Sequence, residues 1–266
     1  MVYPPLKIAR KYFHYYLTAA NGKGHGIHSP FVYEFVREVL NGTPDKTGHA
    51  AVEALRRQLQ TDGRMLLIED LGAGSASGAG RERSVGEITK RAAKPEKLGQ
   101  LLHRMARFYG PKTIVELGTS MGLSTAYLSL GAPGSKVFTI EGSDAIAGVA
   151  EENFRRLGLD HIELYRGNFD DVLEKVLTRT GLVDMAFVDG NHRLEPTMRY
   201  FNMLLERSAA NSVLIFDDIH WSTEMEAAWD RIKADPRVYL TVDLFFLGLV
   251  FRREEFKVKQ DFVIRF

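Results

Sequence analysis

The chain has 266 residues, of which 45% are hydrophobic and 26% are charged, so it can form one large globular domain with a core of ordinary size. Its 35 Lys and Arg residues nearly balance its 34 Asp and Glu residues, and this balance gives no reason to expect nucleic acid or a membrane surface as a partner. It has no cysteine, which excludes disulfides, thiolate metal sites and cysteine nucleophiles.

The first 95 residues predict a helical extension. They contain no apolar leader, and no run of about 18 apolar residues is present to span a membrane, so a cytoplasmic location is expected. The aromatic segment Tyr12–Tyr16 is expected to pack against the rest of the protein. Ser29 followed by Pro30 is typical of a helix start, and a second helix is predicted near Ala51–Leu59. We expect the extension to form a lid or a homodimer interface.

A Gly-, Ala- and Ser-rich segment, Gly72–Gly80, predicts a flexible loop. Two helices follow at about Val85–Ala93 and Lys97–Tyr109, and Gly110 with Pro111 ends the second. We place the end of the extension at residue 95, so that residues 96–266 form the second domain.

From residue 113 onward, short apolar runs alternate with amphipathic helical stretches, a pattern typical of a parallel α/β sheet. The predicted strands are Thr113–Leu117, Lys136–Ile140, Ile162–Tyr165, Met185–Val188 and Ser212–Phe216. The predicted helices between them are Ser124–Leu130, Ala145–Leu157, Phe169–Leu177 and Glu195–Glu206.

The last part of the chain predicts a different arrangement. Thr223–Glu226 has the form of a capping box, and the helix that it opens carries an apolar face of Met225, Ala228, Trp229 and Ile232. Two apolar runs, Tyr239–Phe246 and Leu247–Phe251, then follow without room for a helix, which favours an antiparallel hairpin. The sequence therefore predicts an α/β, Rossmann-like fold with a seven-stranded, mostly parallel sheet, a C-terminal antiparallel hairpin and an N-terminal helical extension.

Two glycine-containing segments, Glu69–Ser75 and Glu116–Gly122, compete for the role of cofactor loop. Such a loop between a strand and a helix lets the backbone approach a ligand and directs helix N–H groups at its anionic part. After Gly122 the chain predicts a helix and then a strand that leads to Glu141, about 25 residues beyond Glu116, where an acid can bind ribose hydroxyls. The first segment lacks this context and is interpreted as a surface loop or a substrate lid.

From Glu116 to Trp221 the chain resembles class I S-adenosylmethionine-dependent methyltransferases, in particular small-molecule O-methyltransferases. Val115–Ser124 resembles the first cofactor motif of the catechol-type enzymes, Thr139–Gly142 resembles their ribose-binding segment, and Gly167–Phe169 falls where the family contacts adenine. The resemblance implies these cofactor-binding residues: Glu116, Gly118, Thr119, Ser120, Gly122, Ser124, Glu141, Gly142, Asn168, Phe169 and Asp189. Glu116 would approach the amino end of S-adenosylmethionine.

The ends of the fourth and fifth predicted strands, Phe187–His192 and Ile215–Asp218, resemble a second feature of this family. There, antibiotic sugar O-methyltransferases place an Asp and an adjacent Asp pair around a divalent cation. The resemblance implies that Asp189, Asp217 and Asp218 hold Mg²⁺ or another divalent cation. Carboxylates without thiolates suit an oxygen-preferring ion. The alternative is a solvated or capping acid pair without metal.

The candidate catalytic residues are His192, Asp189 and His220, because either histidine follows a strand-end acid and could accept the proton of a hydroxyl group. The alternative is that each histidine only binds neighbouring groups. The sugar enzymes have an acid where this chain has Asn191, so their general base is missing here. The catechol enzymes have a lysine for which His192 is the nearest equivalent. Trp221 is expected to line the substrate pocket or to pack into the core.

The sequence thus predicts methyl transfer from S-adenosylmethionine to a small molecule, at a hydroxyl oxygen. Two alternatives remain, a cofactor-binding regulatory protein without turnover and a nicotinamide-dependent oxidoreductase. The spacing from Gly118 to Gly122 and the antiparallel tail argue against the oxidoreductase. A nucleic-acid methyltransferase is not expected, because the chain has no Asn-Pro-Pro-aromatic motif and no basic surplus.

Overall fold

The computed structural model describes residues 2–43, 45–68 and 81–266. The predicted loop Gly72–Gly80 and the competing glycine segment Glu69–Ser75 lie outside the described residues. The helices are α1 Pro5–Thr18, α2 Pro30–Glu34, α3 Lys46–Gln60, α4 Val85–Ala92, α5 Glu96–Tyr109, α6 Leu123–Gly131, α7 Asp144–Arg156, α8 Phe169–Thr180, α9 Leu194–Glu206 and α10 Thr223–Ala234. The strands are β1 Met65–Ile68, β2 Arg81–Ser84, β3 Thr113–Leu117, β4 Lys136–Glu141, β5 Ile162–Arg166, β6 Val183–Val188, β7 Ser208–Asp217, β8 Leu240–Asp243, β9 Leu247–Phe251 and β10 Gln260–Val263.

The chain divides into two compact units. One consists of Met1–Gly42 with Leu182–Phe266, and the other of Thr43–Gly181. These limits do not coincide with the boundary expected at residue 95, since α4 and α5 on either side of it belong to the same unit. The boundary at residue 95 stays a prediction.

The unit Thr43–Gly181 contains three parallel strands, with β4 paired to β3 on one side and to β5 on the other. Its core is built by apolar faces of α3, α4, α6 and α7, among which Tyr127 is fully buried. The helix α5 ends as predicted at Gly110, which adopts the left-handed conformation (φ 55°) that glycine tolerates best. β1 and β2 form a separate antiparallel pair that the sequence did not predict.

The other unit contains the predicted hairpin. β8 pairs antiparallel with β9, β9 pairs antiparallel with β7, and β7 pairs parallel with β6. β10 lies parallel to β8 and is an additional strand. Outside the β1–β2 pair, the described part of the chain therefore has eight strands, one more than the seven predicted. The α/β class with a mostly parallel arrangement is confirmed.

The helix α10 closes over this hairpin with the face that the sequence predicted. Met225, Ala228, Trp229 and Ile232 are all buried. A Cβ atom at Gly248 would lie 2.7 Å from Cζ3 of Trp229, so only glycine allows the strand to approach the indole this closely. The predicted capping residue is corrected, because the hydroxyl of Ser222 accepts the cap bond from the Met225 N–H at 3.1 Å.

The N-terminal helix α1 packs on the turn between β8 and β9. Tyr12 and Tyr15 contact the ring of Phe245, with centroid separations of 5.1 and 5.3 Å. The packing role expected for the aromatic segment is thus confirmed for these two tyrosines. Phe13 and Tyr16, on other faces of the helix, are exposed.

Candidate cofactor site and acidic cluster

The loop that follows β3 has a backbone that few residues other than glycine adopt. Gly118 and Gly122 have φ values of 100° and 78°, and Ser120 between them has 48°. The N–H groups of Gly118 and Thr119 donate to the carbonyl oxygen of Ile140 at 3.0 and 3.2 Å. A Cβ atom at Gly122 would lie 2.5 Å from Cε1 of Phe154. Both the conformation and the close packing therefore require glycine where the cofactor motif predicts it.

Glu116 lies beneath this loop with no exposed surface. One carboxylate oxygen accepts hydrogen bonds from the hydroxyl of Thr125 and from that of Thr139, the latter at 2.7 Å. These bonds join β3 to β4 and to α6. The structure thus gives Glu116 a role in holding the loop, and its contact with the amino end of the cofactor stays a prediction.

Glu141 at the end of β4 is partly exposed and borders the same loop. Its two carboxylate oxygens accept hydrogen bonds from the N–H groups of Ser120 at 2.8 Å and Ser143 at 3.0 Å. Glu141 therefore fixes the left-handed Ser120 at the edge of the loop.

The loop after β5 joins this arrangement through the backbone. The N–H of Gly167 donates to the carbonyl oxygen of Glu141 at 2.9 Å. Asn168 caps α8, with its side-chain oxygen accepting from the Asp170 N–H at 3.0 Å, and Phe169 begins the helix. The structure therefore places the loops of Glu116, Ser120, Glu141 and Asn168 within one unit, linked by hydrogen bonds.

The unit Met1–Gly42 with Leu182–Phe266 holds an acidic cluster. One ligand atom each from Asp189, His192 and Asp217 lies within 4.8 Å of the other two. Nε2 of His192 is 3.6 Å from Oδ1 of Asp189, which is beyond hydrogen-bond distance. Asp217 is buried, and the other two side chains are about one-sixth to one-fifth exposed, at 16% and 19%.

Asp218, predicted as a metal ligand, does not join this cluster. It has a left-handed backbone (φ 54°), and its N–H donates to the carbonyl oxygen of Phe246 at 2.7 Å. His192 takes the third place in the cluster. Asn191, also left-handed (φ 51°), donates from its side-chain nitrogen to the Tyr200 hydroxyl at 3.1 Å.

Trp221 lies beside the cluster. Its indole meets the His192 ring at a tilted edge contact, with centroids 5.6 Å apart. Its carbonyl oxygen accepts a hydrogen bond from the Tyr3 N–H at 3.1 Å. Trp221 therefore borders the acidic cluster through His192, and its role in lining a substrate pocket stays a prediction.

Both ring nitrogens of His220, a candidate base in the sequence, lie against carboxylates in the structure. Its ring nitrogens lie 3.0 Å from a carboxylate oxygen of Glu226 and 2.8 Å from one of Asp243. Burial favours the neutral ring, but the bonds to Asp243 and Glu226 outweigh burial and raise the pKa of His220. Since both nitrogens are engaged and the cation is favoured, this geometry does not suit a proton acceptor for a substrate.

Sequence reasoning missed the partners of His220. Glu226 also accepts hydrogen bonds from the Tyr3 hydroxyl at 2.6 Å and from Lys11 at 2.7 Å. Tyr3 and Lys11 each lie more than 200 positions from Glu226 in the chain, and nothing in their local sequence distinguishes them from surface polar residues.

Comparison with known proteins shows what this chain is similar to. A family profile described as a methyltransferase domain matches residues 115–219. Residues 115–219 are thus similar to a methyltransferase domain. The match covers the glycine loop, Glu141 and the acidic cluster.

Individual relatives resemble the methyltransferase domain in sequence or in fold. A catechol O-methyltransferase from Niastella koreensis is 29% identical over 124 residues, which cover 46% of this chain and 55% of that protein. The chain thus spans about half the length of this curated relative. An O-methyltransferase from Bacillus cereus in complex with SAH has a TM-score of 0.54 at 22% identity, covering 84% of this chain and 97% of the other. An SAH-bound methyltransferase from Podospora anserina has a TM-score of 0.59 at 16% identity, covering 96% and 98%.

These structural similarities support the fold that the sequence predicted. No helix in the part of the chain that the structure describes has the length and apolarity needed to cross a membrane.

Proposed function

We propose that this protein transfers the methyl group of S-adenosylmethionine to a hydroxyl oxygen of a small molecule, assisted by a divalent cation. The acidic cluster of Asp189, His192 and Asp217 is the observation that carries the proposal beyond the domain class. The sulfonium methyl group is already activated, so the protein has to align an acceptor oxygen with it and manage one proton. A hydroxyl acceptor needs such help because it is a poor nucleophile while protonated.

The geometry of the unit Thr43–Gly181 supports the proposed cofactor contacts. We assign the ribose hydroxyls to Glu141, a partly exposed carboxylate that ends β4 and borders the glycine loop through its bond to the Ser120 N–H. The turn from Gly118 to Gly122 has no side chain at Gly118, which allows close approach of a ligand to the backbone there. Asn168 and Phe169 would border the adenine.

The acidic cluster fits a divalent cation. Two carboxylates and an imidazole, with ligand atoms within 4.8 Å of one another, form a set of oxygen and nitrogen donors that a divalent cation accepts. The distance of 3.6 Å between His192 and Asp189 is too long for a hydrogen bond and suits two ligands of one ion. Asp189, His192 and Asp217 would hold the cation. A cation bound there would lower the pKa of a coordinated hydroxyl and fix its orientation.

The chain's own groups would orient the acceptor. The edge contact between Trp221 and His192 provides an apolar wall beside the carboxylates. Two sets of hydrogen bonds hold the segment that carries Trp221. The Tyr3 N–H donates to the Trp221 carbonyl oxygen, and the neighbouring His220 is bonded to Glu226 and Asp243. A planar acceptor with a hydroxyl group fits these features.

The test is transfer of a labelled methyl group from S-adenosylmethionine to a panel of catechols and other hydroxylated small molecules, with and without Mg²⁺ or Mn²⁺. We expect product with at least one hydroxylated acceptor and at least about a tenfold loss of rate on removal of the cation. Asp217→Asn should abolish the cation dependence, whereas Asp218→Asn is the matched control and should retain it.

Methyl transfer that is unaffected by chelation and by Asp217→Asn would refute the proposed role of the cation. Transfer only to amines or carboxylates would refute the assignment of the acceptor oxygen.

A further inference from the structure

The N-terminal helix α1 is apolar on two opposite sides. Its inner side places Ile8, Tyr12 and Tyr15 against the body of the unit. Its outer side exposes Leu6 and Phe13, which are 83% and 63% accessible. A surface helix of a globular protein normally has one apolar side, so the outer side requires its own partner.

The outer side forms a continuous stripe. Leu6, Arg10, Phe13 and Leu17 recur at intervals of four, three and four residues, which places them along one line of an α-helix. Leu17 is 62% exposed. Tyr16, 46% exposed, borders the stripe, and its ring lies 4.4 Å from the guanidinium carbon of Arg265.

The segment of the chain that contains this stripe has charged side chains of one sign only. The first 33 residues contain three lysines and one arginine and no Asp or Glu. Lys7 and Arg10 are exposed on α1 itself. The near-neutral charge of the whole chain conceals this local excess, which is why composition gave no reason to expect an anionic partner.

This combination decides between possible occupants of the stripe. A second copy docking through the same face would bring Lys7 and Arg10 of both copies together, and the stretch Pro5–Thr18 has no acid to oppose them. A nucleic acid would leave the aliphatic centre of the stripe without a suitable contact. An anionic lipid surface satisfies both parts, because its headgroups attract the cations and its acyl boundary accepts Leu6, Phe13 and Leu17.

We infer that α1 is a docking element that lies on anionic phospholipid surfaces through the stripe of Leu6, Phe13 and Leu17. The helix is held by its inner side, so the outer stripe is presented without unfolding. The inference is independent of the methyl transfer proposed above.

The test is cosedimentation of the full chain with phosphatidylcholine vesicles that contain or lack phosphatidylglycerol, at low and high salt. We expect binding to the anionic vesicles that weakens with salt. Lys7→Gln with Arg10→Gln should lower the binding constant about 25-fold, at about fivefold for each cation removed. Leu6→Ser, Phe13→Ser and Leu17→Ser together should lower it by more than about 100-fold.

Matched variants elsewhere on the surface control for general changes. Lys90→Gln with Lys175→Gln removes two other exposed cations, and Leu67→Ser, Leu182→Ser and Val258→Ser remove three other exposed apolar side chains. Both sets should bind vesicles like the unchanged protein. Thermal unfolding of each variant shows that the fold is retained.

Several outcomes would overturn the inference. One is equal binding by the α1 variants and the controls, and another is no binding to anionic vesicles. A third is that the unchanged protein is a dimer in sedimentation velocity and does not bind vesicles, whereas the variant with Leu6, Phe13 and Leu17 replaced is a monomer. Binding to duplex DNA that needs Lys7 and Arg10 but not the apolar stripe, without vesicle binding, would assign the face to nucleic acid.

Discussion

Replacing His103 with leucine should make the protein less sensitive to acid. His103 on α5 is 2% exposed, and its ring meets the ring of His49 edge-on at 4.3 Å. Burial lowers the pKa of His103 from 6.5 to about 4, and the neighbouring His49 acts in the same direction. The folded protein therefore keeps His103 neutral at pH values at which the unfolded chain binds a proton.

The sign and size of the effect follow from this difference in pKa. The stability contributed by the neutral ring is fully present above the unfolded pKa of 6.5 and is lost as the pH falls toward 4. Between about pH 7.5 and about pH 5, proton binding to the unfolded state through His103 alone removes about 2 kcal/mol of unfolding free energy. Burial also lowers the pKa of His49, which adds to the loss.

The assay is urea denaturation at both pH values for the unchanged protein, His103→Leu and His14→Gln. The unchanged protein should lose about 2 kcal/mol more than His103→Leu on acidification. The exposed control His14→Gln should behave like the unchanged protein. Equal losses for all three proteins would refute the view that His103 is neutral in the fold.

Three further substitutions test the glycine loop, the helix α7 and the hydrogen bonds of His220. Gly122→Ala should destabilise the protein by about 1–3 kcal/mol, because its φ of 78° and the nearby Phe154 ring both oppose a Cβ atom. Gly148→Ala in α7, where a Cβ atom meets nothing within 4 Å, should instead stabilise the protein by about 0.5–1 kcal/mol. The measurement is denaturant unfolding of both variants, and a change of the same sign in their free energies of unfolding would contradict the packing argument. His220→Gln should cost about 1–3 kcal/mol at about pH 6, because Glu226 and Asp243 lose their shared cation. The pKa of His220 is raised, so this contribution is complete below pH 6.5 and is lost as the pH rises through the raised value. Denaturation at about pH 6 and about pH 9 should therefore show a smaller difference at the higher pH, and an equal difference at both would contradict the argument.

The strands that sequence analysis located best are those buried on both faces. Thr113–Leu117 has the predicted limits, because its apolar run is bounded by Pro111 on one side and the glycine loop on the other. β7 begins at Ser208, four residues before the predicted strand, since residues 208–211 include polar Ser208 and Asn211 and give no clear apolar signal. β10 was missed for a related reason, because Gln260–Val263 is short and alternates in exposure, and only its pairing with β8 defines it.

The candidate site was predictable where a residue's place depends on a strand end. Asp189 and Asp217 follow β6 and end β7, and they meet because these strands are parallel neighbours. Asp218 departs because of a left-handed backbone angle that no side-chain pattern encodes. The role of His220 depended on Lys11, Glu226 and Asp243, whose meeting is a property of the tertiary fold alone.

The central claim is that the loop between β3 and α6 and the carboxylate of Glu141 bind S-adenosylmethionine. Calorimetric titration of the full chain with this compound tests it most directly, alongside Glu141→Ala and the exposed control Glu174→Ala. We predict micromolar binding that Glu141→Ala weakens by at least about tenfold and that Glu174→Ala leaves unchanged, as expected for loss of charge-assisted bonds to two hydroxyls. Absence of binding, or equal binding by the unchanged protein and Glu141→Ala, would contradict the account.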